Sequence, residues 1–408
     1  MIAFHFPPLA GSSGIQRTLR FVQHLPAFGW EPIVLTAHPR AYASISDDLL
    51  REVPANVAVH RAFALDTARH LSIARRYPGV LARPDRWMTW RWGAKALGLR
   101  LIRRYNPDIL WSTYPIATAH QIGSILHQYS GVPWIADFRD PMAQEGYPAD
   151  PKTWQSFKRI EETAFKKARF CVFTSPGAAR VYRQRYPETP PERTVLIENG
   201  YDEDSFTGLD ASAAAKGPLN PGKITLLHSG IVYPSERNPS QLFQAIGALL
   251  KSGDLNSKRF VIRLRATAHD DWLRSLALEH GIMDAIELAP PLPYRMALEE
   301  MLRADGLVIL QATNCNEQVP AKLYEYLRAE RPILGLTDPS GDTALTLRQA
   351  GCQHLARLDS REELISVLPR FVDELASGVA SRPDSKVIAV ASRLARTQAL
   401  AELMDSMI

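Results

Sequence analysis

The chain has 408 residues, 46% of them hydrophobic and 22% charged, which excludes a disordered or fibrous protein and, being too long for one ordinary core, predicts two domains of roughly 200 residues each. Its net charge of +5, from 48 basic and 43 acidic residues, comes with no nucleic-acid reading motif, so nucleic acid is not expected as a partner. Cys171, Cys315 and Cys352 fit neither a disulfide framework nor a metal-ligand spacing, no apolar run approaches the roughly 20 residues of a membrane span, and the start MIAFHFPP lacks the regions of a signal peptide, so a cytoplasmic chain with reduced thiols is expected.

Residues 1–8 read as a short apolar strand ending at Pro7 and Pro8, followed by a Gly/Ser loop to Gly14, a helix over 15–28 closed by Gly29, and a second strand over 31–36. Strand, loop, helix, strand is a βαβ unit. Further buried strands are expected over 108–112, 134–137 and 170–174 with helices between them, the alternation of a parallel, doubly wound sheet. Residues 207–223 are small, polar and lack an apolar period, so they read as a linker. The pattern then restarts with strands over 224–227, 260–264, 307–310 and 332–336, and helices over 240–250, over 271–280 and from Pro320. The expected organisation is a first Rossmann-like domain over 1–208, a linker over 209–222, a second Rossmann-like domain over 223–388, and a final helix over 389–408 returning to the first. Ligands of such sheets sit at the carboxyl ends of the strands, so the cleft between two facing domains is the expected site.

The basic excess is concentrated. Residues 69–104 hold nine arginines and one lysine against the single acid Asp85, interleaved with Trp87, Trp90 and Trp92. This mixture suits peripheral contact with an anionic membrane surface.

The stretch Glu317-Gln-Val-Pro-Ala-Lys-Leu-Tyr-Glu325 joins a strand end to a helix start. Pro320 suits the first helical position, the backbone N–H groups from Val319 to Lys322 would favour a diphosphate, Lys322 adds a full charge, and Glu325 can accept hydrogen bonds from two vicinal hydroxyls. The run after the first strand of the second half, Leu226-Leu-His-Ser-Gly230, continues through Ile231 and Tyr233 to Arg237. In the first half, Gly11 and Gly14 stand in G-x-x-G spacing before Arg17, without the G-x-G-x-x-G and downstream acid of a dehydrogenase. Asp137-Phe-Arg139-Asp140-Pro141 sits at a strand end.

These stretches together resemble glycosyltransferase family 4, whose signature is two glutamates separated by seven residues within P-x-K-x-x-E-Y-L followed by P-I-L. The resemblance implies a GT-B fold of two Rossmann-like domains, a nucleoside-diphosphate sugar as donor and transfer with retention of configuration. It assigns Glu325 to the ribose and Glu317 to the transferred sugar, places Gly230 in the family's glycine loop, and sets Arg237 where a cation neutralises the leaving diphosphate. Many members carry an arginine directly after that glycine, where this chain has Ile231, so Arg237 and Lys322 are expected to share the role. The Gly14 loop resembles the one that approaches the donor phosphate from the first domain. Asp137-x-Arg139-Asp140-Pro141 resembles a variant seen in some members in place of a histidine, and with Arg17 it is expected on the acceptor side. Asp202-x-Asp204 is the metal motif of the other large glycosyltransferase fold, but its surroundings resemble a turn of this family, so neither a metal nor a cofactor is expected. His120 and His228 are expected as packed histidines. The expected acceptor is a glycan or a lipid-linked molecule in cell-surface polysaccharide assembly. Two other readings stay open: a nucleotide-sugar epimerase of similar architecture, and a non-catalytic membrane-associated protein that retains the fold.

Overall fold

The computed structural model describes residues 1–12, 14–74 and 76–408. The chain divides into two compact units, Met1–Asn199 with Arg393–Ile408, and Gly200–Ser392.

The first unit is built on parallel strands β1 (Ile33–Ala37), β2 (Ala58–Ala62), β3 (Leu110–Thr113), β4 (Trp134–Arg139), β5 (Phe170–Phe173) and β6 (Thr194–Leu196). β1 pairs with β2, β3 to β6 pair in chain order, and Ile2 bridges in parallel to both Leu35 of β1 and Ser112 of β3. The strand expected over 1–8 is therefore central in position but reduced to its first residues. Ile2 and Ala3 donate to Trp111 and Leu35, and the adjoining prolines at 7 and 8 offer no N–H to extend the ladder. β3 to β5 are almost wholly buried because helices cover both faces, which is why they read as continuous apolar runs. Trp134, Phe138, Phe165, Phe173 and Tyr182 fill the space beneath those helices, with Phe138 stacked 5.3 Å from Phe173.

The helix expected over 15–28 is α-helical over Gly14–His24 and tightens to a 3₁₀ turn over Leu25–Phe28, since Pro26 cannot donate to a preceding carbonyl. The terminal helix Arg393–Asp405 lies in this unit, where Arg396 pairs with Glu198 at 2.6 Å and Asp405 accepts from Trp30 Nε1 at 2.8 Å.

The second unit is a six-stranded parallel sheet of β7 (Ile224–Ser229), β8 (Phe260–Arg265), β9 (Ile286–Ala289), β10 (Gly306–Leu310), β11 (Ile333–Leu336) and β12 (Leu355–Ala356), in the order β12-β11-β10-β7-β8-β9. The order reverses at β7, the switch point at which ligands of open α/β sheets bind.

Two expectations about organisation change. Residues 209–222 are not a bare linker: Leu209–Lys216 is a helix with Leu209 and Ala213 buried, and Lys216 pairs with Glu299 at 2.8 Å. The alanine run that looked featureless is a good helix former, and one buried stripe is enough to hold it. The units accordingly meet at Asn199/Gly200 and again at Ser392/Arg393, not at 208 and 389. In the 69–104 segment, Trp87 packs 4.8 Å from Phe4 and donates to Ala41 at 3.1 Å, while Trp90 is fully buried, so only Trp92 of the three tryptophans is exposed.

Candidate functional site

In the second unit the loop after β7 and the helix Lys322–Arg328 are held together from the inside. That helix buries Leu323, Tyr324, Tyr326 and Leu327 and leaves Lys322 and Glu325 on its more open face. Tyr326 is fully buried, and its hydroxyl accepts from the Ser229 amide at 2.7 Å, fixing the end of β7. The next residue, Gly230, has φ of +122°, and a β-carbon there would lie 2.6 Å from Lys322 Nζ. Backbone conformation and lack of space both demand glycine.

Lys322 Nζ lies 3.3 Å from His228 Nε2, and His228 Nδ1 lies 2.9 Å from the Val308 carbonyl. Since a carbonyl only accepts, Nδ1 carries the proton and Nε2 presents a lone pair to the ammonium. Burial, with the charges of Lys322 and Arg237, holds His228 well below its ordinary pKa, so it is a neutral acceptor. Sequence reasoning missed this role; the clue was that His228 stands on the strand just before the glycine.

Burial and then the nearby Arg237 lower Lys322 to about 7, with Glu325 acting in the opposite direction. Arg237 donates to the Ile231 carbonyl at 2.6 Å and lies over the Tyr233 ring. Neither Arg237 nor Lys322 makes an ion pair among the described residues. The loop bearing Glu317 is tied to the Arg237 loop: the Ala312 amide donates to Glu236 at 2.7 Å, and Asn314 donates to Ser235 at 3.1 Å. Glu317 is half-buried and, with Arg237, lies close enough to act on the buried Cys315 thiol, which burial pushes up to about 11. Glu325 accepts from Tyr294 Oη at 2.8 Å. The structure thus gathers Gly230, Arg237, Glu317, Lys322 and Glu325 into one neighbourhood.

One expectation within it is corrected. Pro320 is not the first helical residue; the helix begins at Lys322, and the Leu323 and Tyr324 amides donate to Pro320 and Ala321. Gln311 Nε2 holds the Cys315 and Gln318 carbonyls at 2.7 and 3.0 Å, which keeps the chain up to the buried Val319 irregular. Anion binding here depends on two side-chain cations more than on a short helix's dipole.

In the first unit, Gly14 opens its helix beneath His5 and Arg139. A β-carbon on it would meet His5 Nδ1 at 2.5 Å. Its amide donates to Ser12 Oγ at 3.2 Å and its carbonyl accepts from Arg139 Nη1 at 3.0 Å, so the glycine loop is internally bonded. His5 is lowered to about 4 by burial and then by the Arg139 charge. Arg139 sits at a register shift in β4 with φ of +62°, a strained conformation for a non-glycine residue, and the bulge turns its side chain toward Gly14. The half-buried Asp140 carboxylate has no hydrogen-bond partner among the described residues; burial pushes its pKa up against the pull of Arg139 and Arg17.

Arg17 and Asp137, expected on the acceptor side, are instead internal. Arg17 is 2% exposed and Asp137 0%, and they form a two-pronged pair at 3.0 and 2.9 Å. Arg17 also donates to the Glu198 and Ile197 carbonyls, and Asp137 accepts from Thr113. With every prong engaged, neither has surface for a substrate. Asp202 of the D-x-D caps the helix Glu203–Phe206, accepting from Ser205 N and Oγ.

Residues 13–200 match the model of the glycosyl transferase 4-like domain. No curated protein sequence matches the chain. Among solved structures it is similar to sucrose-phosphate synthase from Thermosynechococcus elongatus, at 14% identity over 99% of this chain and 98% of that one with a TM-score of 0.69. It is also similar to Anabaena HepE in complex with UDP and glucose, at 14% identity over 99% of each chain with a TM-score of 0.68. A third is WaaG, a glycosyltransferase involved in lipopolysaccharide biosynthesis, at 14% identity over 100% of this chain and 98% of that one with a TM-score of 0.62. The fold is GT-B, two Rossmann-like domains, and the protein is a glycosyltransferase. Its first unit carries the glycosyl transferase 4-like domain, in agreement with the family 4 resemblance of the sequence.

Proposed function

We propose that the protein transfers a hexose-type sugar, with retention of configuration, from a nucleoside-diphosphate sugar to a glycan or lipid-linked acceptor in cell-surface polysaccharide assembly. The observation that carries this reading is the two cations Arg237 and Lys322, without an ion pair among the described residues, at the switch point of the second sheet, with Lys322 held over Gly230. HepE was crystallised with UDP and glucose, and WaaG acts in lipopolysaccharide biosynthesis, which supports a nucleotide-sugar donor and that setting.

In this mechanism the bond between the anomeric carbon and the diphosphate oxygen breaks, with its electron pair leaving on the diphosphate. Arg237 and Lys322 stabilise that growing charge. Glu325 holds the ribose hydroxyls and Glu317 the sugar hydroxyls. The acceptor hydroxyl attacks the same face of the oxocarbenium-like sugar and gives its proton to the departing phosphate, so the charge neutralisation comes from protein cations without a metal. On the acceptor side the proposal now rests on Arg139 and Asp140.

The test is proton linkage. Lys322 is lowered to about 7, so in the empty protein it loses its proton as pH rises through neutrality. A bound diphosphate raises that value again, so at about pH 7.5 binding should take up a fraction of a proton, and the uptake should fall as pH drops toward about 5.5, where Lys322 is already charged. Calorimetric titration with a panel of nucleoside diphosphates, in two buffers of different ionisation enthalpy, reads this directly. Binding of none of them, or binding with no proton uptake at either pH, would contradict the site.

Membrane contact belongs to the same proposal. No helix among the described residues is long and apolar enough to cross a membrane. Ile73, Val80 and Trp92 are exposed at 85%, 64% and 54%, and the same 69–104 segment exposes Arg76, Arg100, Arg103 and Arg104. The protein should co-sediment with anionic vesicles at low salt and be released by high salt. No sedimentation at low salt rejects the idea.

A further inference from the structure

Glu325 follows Lys322 by three positions on one short helix, the spacing at which a glutamate and a lysine ordinarily close on each other. Here they do not. Lys322 makes no ion pair among the described residues, and Glu325 instead accepts from Tyr294 Oη at 2.8 Å, across 31 positions of sequence.

Tyr294 is the first residue of the helix Tyr294–Arg303, which follows β9 through Pro290-Pro-Leu-Pro293. Prolines at 290, 291 and 293 stiffen that connection. Arg265, at the end of β8, donates to the Pro290 carbonyl at 2.6 Å and through Nε to Glu300 at 2.8 Å, and Arg263 reaches the same carboxylate at 2.8 Å. Glu300 is buried and lies on the Tyr294 helix. Arg295, beside Tyr294, donates to the Thr207 carbonyl at 2.9 Å. The helix start is thus fastened to the sheet and to the chain at Thr207, while the Tyr294 ring stays 38% exposed. A phenol on so rigid a mount fixes the rotation of a carboxylate that would otherwise swing.

We infer, on the basis of the donor reading above, that Tyr294 is a positioning residue: its hydroxyl holds the Glu325 carboxylate away from Lys322 and toward the vicinal hydroxyls of a ribose, which makes the donor site selective for ribonucleotides over deoxyribonucleotides. An ionised carboxylate has about four acceptor positions, so one phenol leaves capacity for two ribose hydroxyls. The same contact keeps Lys322 for the diphosphate, since a carboxylate rotated onto the ammonium would offset the charge that the phosphates meet. Tyr294 acts through Glu325 and touches no reacting atom.

The test is calorimetric titration of the whole protein with UDP, GDP, ADP and CDP and with the deoxyribose form of each, repeated on Tyr294→Phe, on Glu325→Ala and on the double variant. Tyr294→Phe removes one oxygen from an exposed ring and should leave the fold intact. For whichever base binds, the natural protein should favour the ribose form by about tenfold or more, and Tyr294→Phe should cut that preference to about threefold or less, mainly by weakening the ribose form. In the Glu325→Ala background the same substitution should change neither affinity by more than about twofold, because its partner is gone. Failure of every nucleoside diphosphate to bind the natural protein contradicts the donor reading, and the role of Tyr294 with it. Four other results overturn the role of Tyr294 and leave the donor site in place: binding with no preference for ribose, a preference that Tyr294→Phe keeps, an equal loss for both sugar forms, or an effect of Tyr294→Phe that survives in Glu325→Ala.

Discussion

Replacing Lys322 by methionine is expected to lower kcat for sugar transfer by about 100- to 1000-fold, the usual effect of deleting one group that stabilises charge developing in a transition state. Methionine keeps the length and apolar stem, so the change removes the ammonium and little packing. The donor's ground state already carries charged phosphates, so affinity falls too, but the larger loss belongs to turnover, because the second charge on the diphosphate appears only as the sugar departs. Lys322→Arg is not expected to restore the rate: the ammonium is a compact point charge held 3.3 Å from His228 Nε2, and a longer planar fork cannot place its charge at the same point. Steady-state transfer, or donor hydrolysis without acceptor, with nucleoside diphosphate affinity measured alongside, decides the matter. A kcat within about threefold of the natural protein would remove Lys322 from the mechanism.

Replacing Arg17 by alanine is expected to act on stability. The substitution strands a fully buried Asp137 beside two carbonyls, Glu198 and Ile197, that lose their donors. Breaking such a pair from one side destabilises by about 3–5 kcal/mol, which for a unit of this size is a fall of roughly 6–20 °C in melting temperature. Adding Asp137→Asn to Arg17→Ala should recover part of the loss, because a neutral amide at that position is less costly to bury than an uncompensated carboxylate. Nucleoside diphosphate affinity of the folded fraction should be unchanged. Thermal denaturation of the two variants and the parent tests this, and a melting point within about 2 °C of the parent for Arg17→Ala would show that the pair is not what secures the first helix.

These two residues show what a motif conceals. Each is a cation within a family-like stretch, Arg17 three residues after Gly14 and Lys322 between the two glutamates, and nothing local distinguishes them. Lys322 remains half-buried and without an ion pair among the described residues, whereas Arg17 is enclosed by groups from β4 and from the end of the first unit. The same holds for the tryptophans of 69–104: alternation with arginine suggested a surface, but Phe4 and Ala41 turn Trp87 inward and Trp90 is wholly enclosed.

What the sequence by itself determined is the succession of strands and helices, the restart after residue 223, and the two glutamates with the lysine between them. Those features depend on side-chain periodicity and on turn residues within a few positions, which are local properties. The tertiary structure alone decided which charges are enclosed and which are open. Arg17 finds Asp137 across 120 positions and Lys322 finds His228 across 94. Whether an arginine is a brace or a ligand depends on solvent access and on partners supplied by distant strands, and no local spacing encodes either.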